Sequence, residues 1–155
     1  TDQIKSAVDS GVTDVVVVGA GFIGLELVEN LIRRGVRTTV VELQPQILPP
    51  LDGEMTTPLL RHLEAKGVKV LLGQSAVKFE KNDSGLVVTL NSGKTLSCQL
   101  VVLGIGVRPE NRLAVEAGLE AGPRGGIRVN DHLQTSDPDI YAVGDAVEVQ
   151  DFVSG

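Results

Sequence analysis

The chain has no tryptophan, one tyrosine, three phenylalanines, one methionine and one cysteine in 155 residues. The single cysteine, Cys98, excludes an internal disulfide framework and fits a reducing compartment, so a cytoplasmic location is expected. It sits in an apolar run and reads as a small buried hydrophobe. Basic residues are also in deficit: 14 Lys and Arg face 20 Asp and Glu, for a formal net charge of −6. No basic patch is present, which argues against a nucleic-acid partner. The longest apolar runs are strand-sized, so no membrane span is expected. No signal-peptide pattern, repeat or low-complexity tract is apparent. His62 and His132 have no partners at ligand spacing, so no metal is expected. The chain begins at Thr1 without a methionine and stops at Ser154-Gly155, just past a motif-like segment. It is therefore expected to be a domain excised from a longer protein.

What the chain has is valine, leucine and glycine. The most informative stretch runs from Asp14 to Glu42. Four valines lead into Gly19-Ala20-Gly21-Phe22-Ile23-Gly24, an apolar strand opening into G-x-G-x-x-G. Leu25, Val28, Leu31 and Ile32 then recur at helical spacing, and Gly35 marks a stop. Thr38–Glu42 reads as a second strand ending on an acid. This order suits a dinucleotide pyrophosphate. Gly19 permits a tight turn, Gly21 lets backbone approach the phosphates, and Gly24 lets the helix pack on the strand. The helix N-terminus turns its N–H groups and positive dipole end toward the anion. Glu42 can accept the adenine-ribose hydroxyls. A turn that merely needs glycines leaves that acid unexplained.

Ile4–Val8 reads as the tail of a helix or a linker, and Pro45, Pro49 and Pro50 as a surface loop. Asp52 can cap a second helix through Leu59, Leu60 and Leu63, stopped by Gly67. Val68–Leu72 reads as a third strand. The first half is thus β-α-β-α-β, which favours a parallel sheet with right-handed crossovers. The pattern then changes. Ala76–Glu80, Leu86–Leu90 and Thr95–Cys98 read as short strands joined by Asn82-Asp83-Ser84-Gly85 and Asn91-Ser92-Gly93-Lys94, both hairpin chemistry. Leu100–Leu103 returns to a buried strand. A short helix near Arg112–Ala117 and strands at Ile127–Val129 and Ile140–Val143 follow. The expected class is α/β: a Rossmann-like parallel sheet with two helical crossovers and an inserted antiparallel meander at about residues 75–99.

Three segments stand together: Gly19–Gly24, Gly104-Ile105-Gly106-Val107-Arg108-Pro109, and Thr135-Ser136-Asp137-Pro138-Asp139-Ile140-Tyr141-Ala142-Val143-Gly144-Asp145. This set resembles the NAD(P)H domain of the pyridine nucleotide-disulfide oxidoreductases, two-dinucleotide flavoproteins. The Gly-Val-Arg-Pro wording is similar to the branch of NADH oxidases, NADH peroxidases and coenzyme A-disulfide reductases. The resemblance covers nearly the whole chain. It implies residues 1–13 as a leading helix or linker, 14–130 as the NAD(H)-binding domain, and 131–155 as a return segment toward an FAD domain.

The resemblance also implies roles. Phe22 and Ile23 lie in the cofactor-binding turn. Phe22 falls where many members have a tyrosine that covers the flavin and swings aside for nicotinamide; a packing role under the turn is the alternative. Glu26 matches a glutamate beside the nicotinamide that pairs with a lysine of the FAD domain; the alternative is a solvated carboxylate favoured by the helix dipole. Gly104 and Gly106 match a loop that admits the cofactor's nicotinamide side. Gly144 and Asp145 match the segment where an aspartate binds a flavin hydroxyl. The redox cysteine of the family lies in the FAD domain, and Cys98 is not at that place, so no catalytic residue is assigned here.

No arginine follows Glu42, where an NADP site usually offers one to the 2′-phosphate. Arg33, Arg34 and Arg37 precede the second strand and read as solvated charges. A phosphate beside Glu42 loses charge-assisted hydrogen bonds worth roughly 1.5–3 kcal/mol each, which predicts a preference for NADH. The functional expectation is an NADH-binding domain that presents nicotinamide to FAD in a disulfide reductase-like parent. That parent is expected to be a homodimer with a disulfide, persulfide, peroxide or oxygen acceptor. A stand-alone dinucleotide sensor is the alternative from another class, and a purely structural Rossmann-like domain is a third.

Overall fold

A computed structural model describes residues 2–83 and 85–148. Thr1, Ser84 of the first hairpin connection and the Ser154-Gly155 end lie outside the described residues. The chain forms two compact units, Thr1–Gly106 and Val107–Gly155.

The first unit opens with helix α1 (Asp2–Asp9) and strand β1 (Asp14–Val18). Then come α2 (Phe22–Arg33), β2 (Arg37–Val41), α3 (Gly53–Ala65) and β3 (Lys69–Leu71). A meander of β4 (Ala76–Asn82), β5 (Gly85–Leu90) and β6 (Thr95–Cys98) precedes β7 (Leu100–Leu103). The parallel sheet has the order β3-β2-β1-β7. β1 is central, with Val16 opposite Thr39 on one side and Val101 on the other. The meander is a separate antiparallel sheet, β4-β5-β6.

The valine run explains the layering. Alternate side chains of a strand point to opposite faces. Val15 and Val17 join Leu25, Val28 and Leu31 of α2 and Leu63 of α3 in one core. Val16 joins Val41 and the meander residues Val88, Leu90, Leu96 and Cys98 in another. A central strand buried on both faces must be apolar at every position, which is why β1 does not alternate. The meander thus covers the face of the parallel sheet opposite α2 and α3.

Two sequence expectations change here. The proline-rich segment is a surface loop at Pro45, Pro49 and Pro50, but Ile47 and Leu48 between them are buried in the helix-side core. Asp52 occupies the N-cap of α3 without a side-chain capping hydrogen bond. Pro58 lies inside that helix, where it supplies no N–H, and Thr57 donates its hydroxyl to the Gly53 carbonyl at 2.8 Å.

The second unit carries α4 (Arg112–Glu116), β8 (Ile127–Arg128), a 3-10 turn at Gly144–Ala146 and β9 (Val147–Glu148). β8 and β9 pair in parallel, Ile127 opposite Val147. The apolar run Ile140–Val143 suggests a strand, but none forms there. Thr135 N–H donates to the Ile140 carbonyl at 2.9 Å, Ile140 N–H to Asp137 at 3.1 Å and Ala142 N–H to Leu133 at 3.0 Å. These bonds satisfy the backbone in a tight loop, leaving an isolated bridge between Gln134 and Tyr141.

Candidate functional site

The glycine turn lies between the end of β1 and the start of α2. Gly19 has φ +106, in the left-handed region, and a Cβ there would stand 2.3 Å from the Gly104 carbonyl oxygen. Only glycine fits both demands. Gly24 faces the other side of the same turn, where a Cβ would meet the Gly19 carbonyl oxygen at 2.1 Å. Gly21 is the N-cap of α2. A Cβ there meets nothing within 4 Å, so its backbone borders open space. The first N–H groups of α2 have no carbonyl partner within the helix. They make an anion-binding end with a glycine at its mouth.

Gly104-Ile105-Gly106 follows β7 directly. Gly104 N–H donates to the Val18 carbonyl at 2.7 Å, and a Cβ on Gly104 would lie 3.3 Å from Gly24 Cα. The two glycine segments therefore meet, backbone against backbone, at the ends of adjacent strands. Phe22, Ile23, Leu103 and Ile105 are all more than half exposed there.

Glu42 follows the last residue of β2, one position beyond the strand. Its side chain does not reach into solvent: the residue is 8% exposed. Oε2 accepts from Ala20 N–H at 2.6 Å and Oε1 from Gln44 N–H at 2.8 Å. The acid thus reaches back into the G-x-G-x-x-G turn. Each carboxylate oxygen retains a further lone-pair site. Glu26 is exposed on α2, and its side chain has no hydrogen-bond or ion-pair partner among the described residues. It borders, with Phe22, Leu48, His62 and Lys66, a groove of about 690 Å³ between α2 and α3.

Cys98 is buried in the meander-side core, and burial pushes its thiol above the usual range. In the second unit, Gly144 has φ +81 and Asp145 is exposed in the 3-10 turn.

Gly19, Gly21, Phe22, Ile23, Gly24, Glu42, Gly104 and Gly106 thus fall in the first unit near the C-terminal ends of the parallel strands. Glu26 lies one helical turn along α2, and Gly144 and Asp145 belong to the second unit. Sequence reasoning missed the burial of Ile47 and Leu48 and the backbone partners of Glu42. The hydrophobic pair inside a proline cluster was the available signal.

The parallel sheet, the antiparallel meander and the glycine turn that grips an acid place the chain in the Rossmann-like α/β class. The chain belongs to the family of pyridine nucleotide-disulphide oxidoreductases, which matches residues 1–154. It is 42% identical over 153 residues to an NADH oxidase of Methanocaldococcus jannaschii, covering 98% of this chain and 34% of that protein. Its structure is similar to reduced CoADR-RHD of Bacillus anthracis, with a TM-score of 0.92 and 44% identity over 99% of this chain and 27% of that one. A further similar structure is an engineered water-forming NADPH oxidase bound to NADPH, a mutant of LbNOX. Its TM-score is 0.86 and its identity 26%, over 94% of this chain and 32% of that one. The chain spans about a third of the length of the curated relatives it matches first.

Proposed function

We propose that this chain is the NADH-binding domain of a flavin-dependent disulfide reductase-like oxidoreductase. The observation that carries the reading is the Glu42 carboxylate, held 2.6 Å from Ala20 N–H beside the N-terminus of α2. It puts an acceptor for ribose hydroxyls next to a glycine turn shaped for a pyrophosphate. The open space at Gly21 and the first-turn N–H groups of α2 fit the phosphates. Phe22, exposed at the turn, offers an aromatic face for the nicotinamide side. Glu26 offers a carboxylate one turn further on, Gly104 lets the two glycine segments close on each other, and Gly106 leaves the backbone open there. Asp145 is proposed to hold a flavin hydroxyl together with an FAD domain of the same parent chain. NADH, when bound, would supply a hydride for a flavin of the parent; this chain's part would be to bind, orient and shield it.

A relative supports the choice of NADH. The engineered NADPH oxidase replaces a glycine of LbNOX by alanine and, eighteen positions on, an aspartate by alanine. It puts arginine and serine at the next two positions and arginine for a proline seven beyond the aspartate. LbNOX itself is a water-forming NADH oxidase of Lactobacillus brevis. This chain has Gly24, Glu42, Leu43, Gln44 and Pro49 at the same spacing. Glycine, acid and proline are all in place, and neither arginine is.

Titration calorimetry of the chain with NADH and NADPH tests the reading. NADH is expected to bind about ten- to a hundred-fold tighter, the cost of losing about one charge-assisted bond. Equal affinities overturn the preference. The chain is also expected not to oxidise NADH with a disulfide acceptor. The acceptor of the parent, whether disulfide, persulfide, peroxide or oxygen, and its homodimeric state are part of the same proposal.

A further inference from the structure

The backbone of Ala20, the first variable residue of the glycine turn, is gripped through both its N–H and its carbonyl by the segment that follows β2. Its N–H donates to Glu42 Oε2 at 2.6 Å. Its carbonyl accepts from Leu48 N–H at 2.9 Å. Ala20 is fully buried, so water cannot replace either partner. The other Glu42 oxygen accepts from Gln44 N–H, and the Glu42 carbonyl accepts from Gln74 N–H at 2.9 Å. Leu48 keeps its position at φ +45, a region that leucine adopts only when its surroundings impose it. Its side chain and that of Ile47 are anchored in the helix-side core. Gln46 Nε2 donates to the Leu51 carbonyl at 2.6 Å and closes the loop upon itself. The segment from Glu42 to Leu51 is therefore a strap across the glycine turn, fastened by one carboxylate and one strained leucine.

The geometry points to Glu42 as a positioning residue for the pyrophosphate turn, in addition to its part at the ribose. An acid that serves only the ribose needs an oxygen facing the ligand and nothing behind it. Here both oxygens are already committed to backbone donors. Charge-assisted bonds to N–H groups are the stronger kind, and in a buried place they resist exchange with water. The carboxylate thereby fixes where Ala20 and Gly21 present their backbone to the phosphates. The inference rests on the dinucleotide reading above and extends it from the ribose to the phosphate-facing turn.

The test is a cycle between one substitution and one ligand. Glu42→Gln keeps the length of the side chain but turns one acceptor into a donor, so one of the two N–H groups loses its partner. Affinities of wild type and variant are measured for NADH and for an NADH analogue lacking the 2′- and 3′-hydroxyls of the adenosine ribose. A ribose-only role predicts that the substitution leaves the analogue's affinity within about twofold. The positioning role predicts that it weakens the analogue about fivefold or more, as loss of a hydrogen bond to a charged group entails. The first outcome overturns the inference and leaves NADH binding intact. Failure of the wild-type chain to bind either ligand removes the dinucleotide reading and this inference with it. A second measurement needs no variant: amide exchange in the ligand-free wild type. The Ala20 amide is expected to be among the slowest of the first unit. Exchange at the rate of an open loop overturns the clamp.

Discussion

Glu42 and Asp145 are both acids beside a strand or turn end, and a cofactor hydroxyl is proposed for each. Their surroundings differ. Glu42 is 8% exposed and accepts from two backbone N–H groups. Asp145 is exposed, and no donor meets its carboxylate among the described residues. Asp14, at the opposite end of β1 from the glycine turn, stands between them. It accepts from Arg37 Nε at 2.7 Å and from the Thr13 hydroxyl at 2.7 Å, but on the surface. The series separates a carboxylate built into its scaffold from one tied only to side chains and from one with no local partner. The first is fixed in place by backbone donors; the last is held by none among the described residues.

The comparison breaks first at the turn that Glu42 holds. Gly19→Ala forces a Cβ against the Gly104 carbonyl and a side chain into φ +106. It is expected to cost roughly 2–5 kcal/mol, from overpacking together with backbone strain. Urea denaturation should move its midpoint well below wild type, and NADH binding should fall with it. Glu42→Ala comes next. It leaves Ala20 N–H buried without an acceptor, which costs about 1–3 kcal/mol. It should weaken NADH and, by removing the like charge beside a 2′-phosphate, narrow the gap to NADPH. Calorimetry with both nucleotides reads the two effects together. A variant that keeps the full preference for NADH breaks the assignment of Glu42.

Asp14 gives a smaller effect that depends on pH. The Arg37 guanidinium, with the Thr13 hydroxyl, holds the Asp14 carboxyl below the usual carboxylate range. A depressed carboxylate contributes stability above its unfolded pKa and loses it as pH falls through the folded value. Arg37→Ala should therefore lower the melting temperature slightly near neutrality. The difference from wild type should vanish once the pH drops below the ordinary carboxylate range. A difference that persists there assigns the effect to packing of the arginine stem. The pair is exposed, with Arg37 largely in solvent, so screening by salt should shrink the effect further.

Much of the first unit was legible because its signals are local. Four consecutive valines force a strand buried on both faces, and the two hairpin connections force a meander. The spacing of Gly19, Gly21 and Gly24 places a turn before a helix. The strap was not legible. Nothing in Gln44 to Leu51 encodes a leucine at positive φ, because the core that imposes it is assembled from distant strands. Glu42 was legible as an acid at a strand end, but its grip on Ala20 depends on the chain returning to the same point after 22 residues, through α2 and β2. Ile140–Val143 misled because an apolar run between turns looks like a strand, whereas Thr135 and Asp137 offer its backbone local partners instead.

Asp145→Asn is expected to have the smallest effect in this chain, and its smallness is informative. The substitution keeps the size of the side chain and removes only the charge. With no partner among the described residues, there is no hydrogen bond for it to break in the 3-10 turn. Exposed changes away from caps and networks stay within about 0.5 kcal/mol, so the melting temperature should hold. NADH affinity should hold as well, since the hydrogen bonds that hold the glycine turn and Glu42 do not involve Asp145. In a longer chain that includes an FAD domain, the same substitution should weaken flavin retention, read as loss of yellow protein on gel filtration. A drop in NADH affinity in the present chain would bring Asp145 into the nucleotide site and erase the contrast with Glu42. Unchanged flavin retention in the longer chain would leave Asp145 a solvated turn residue, and the flavin-hydroxyl role carried over from the family would be withdrawn.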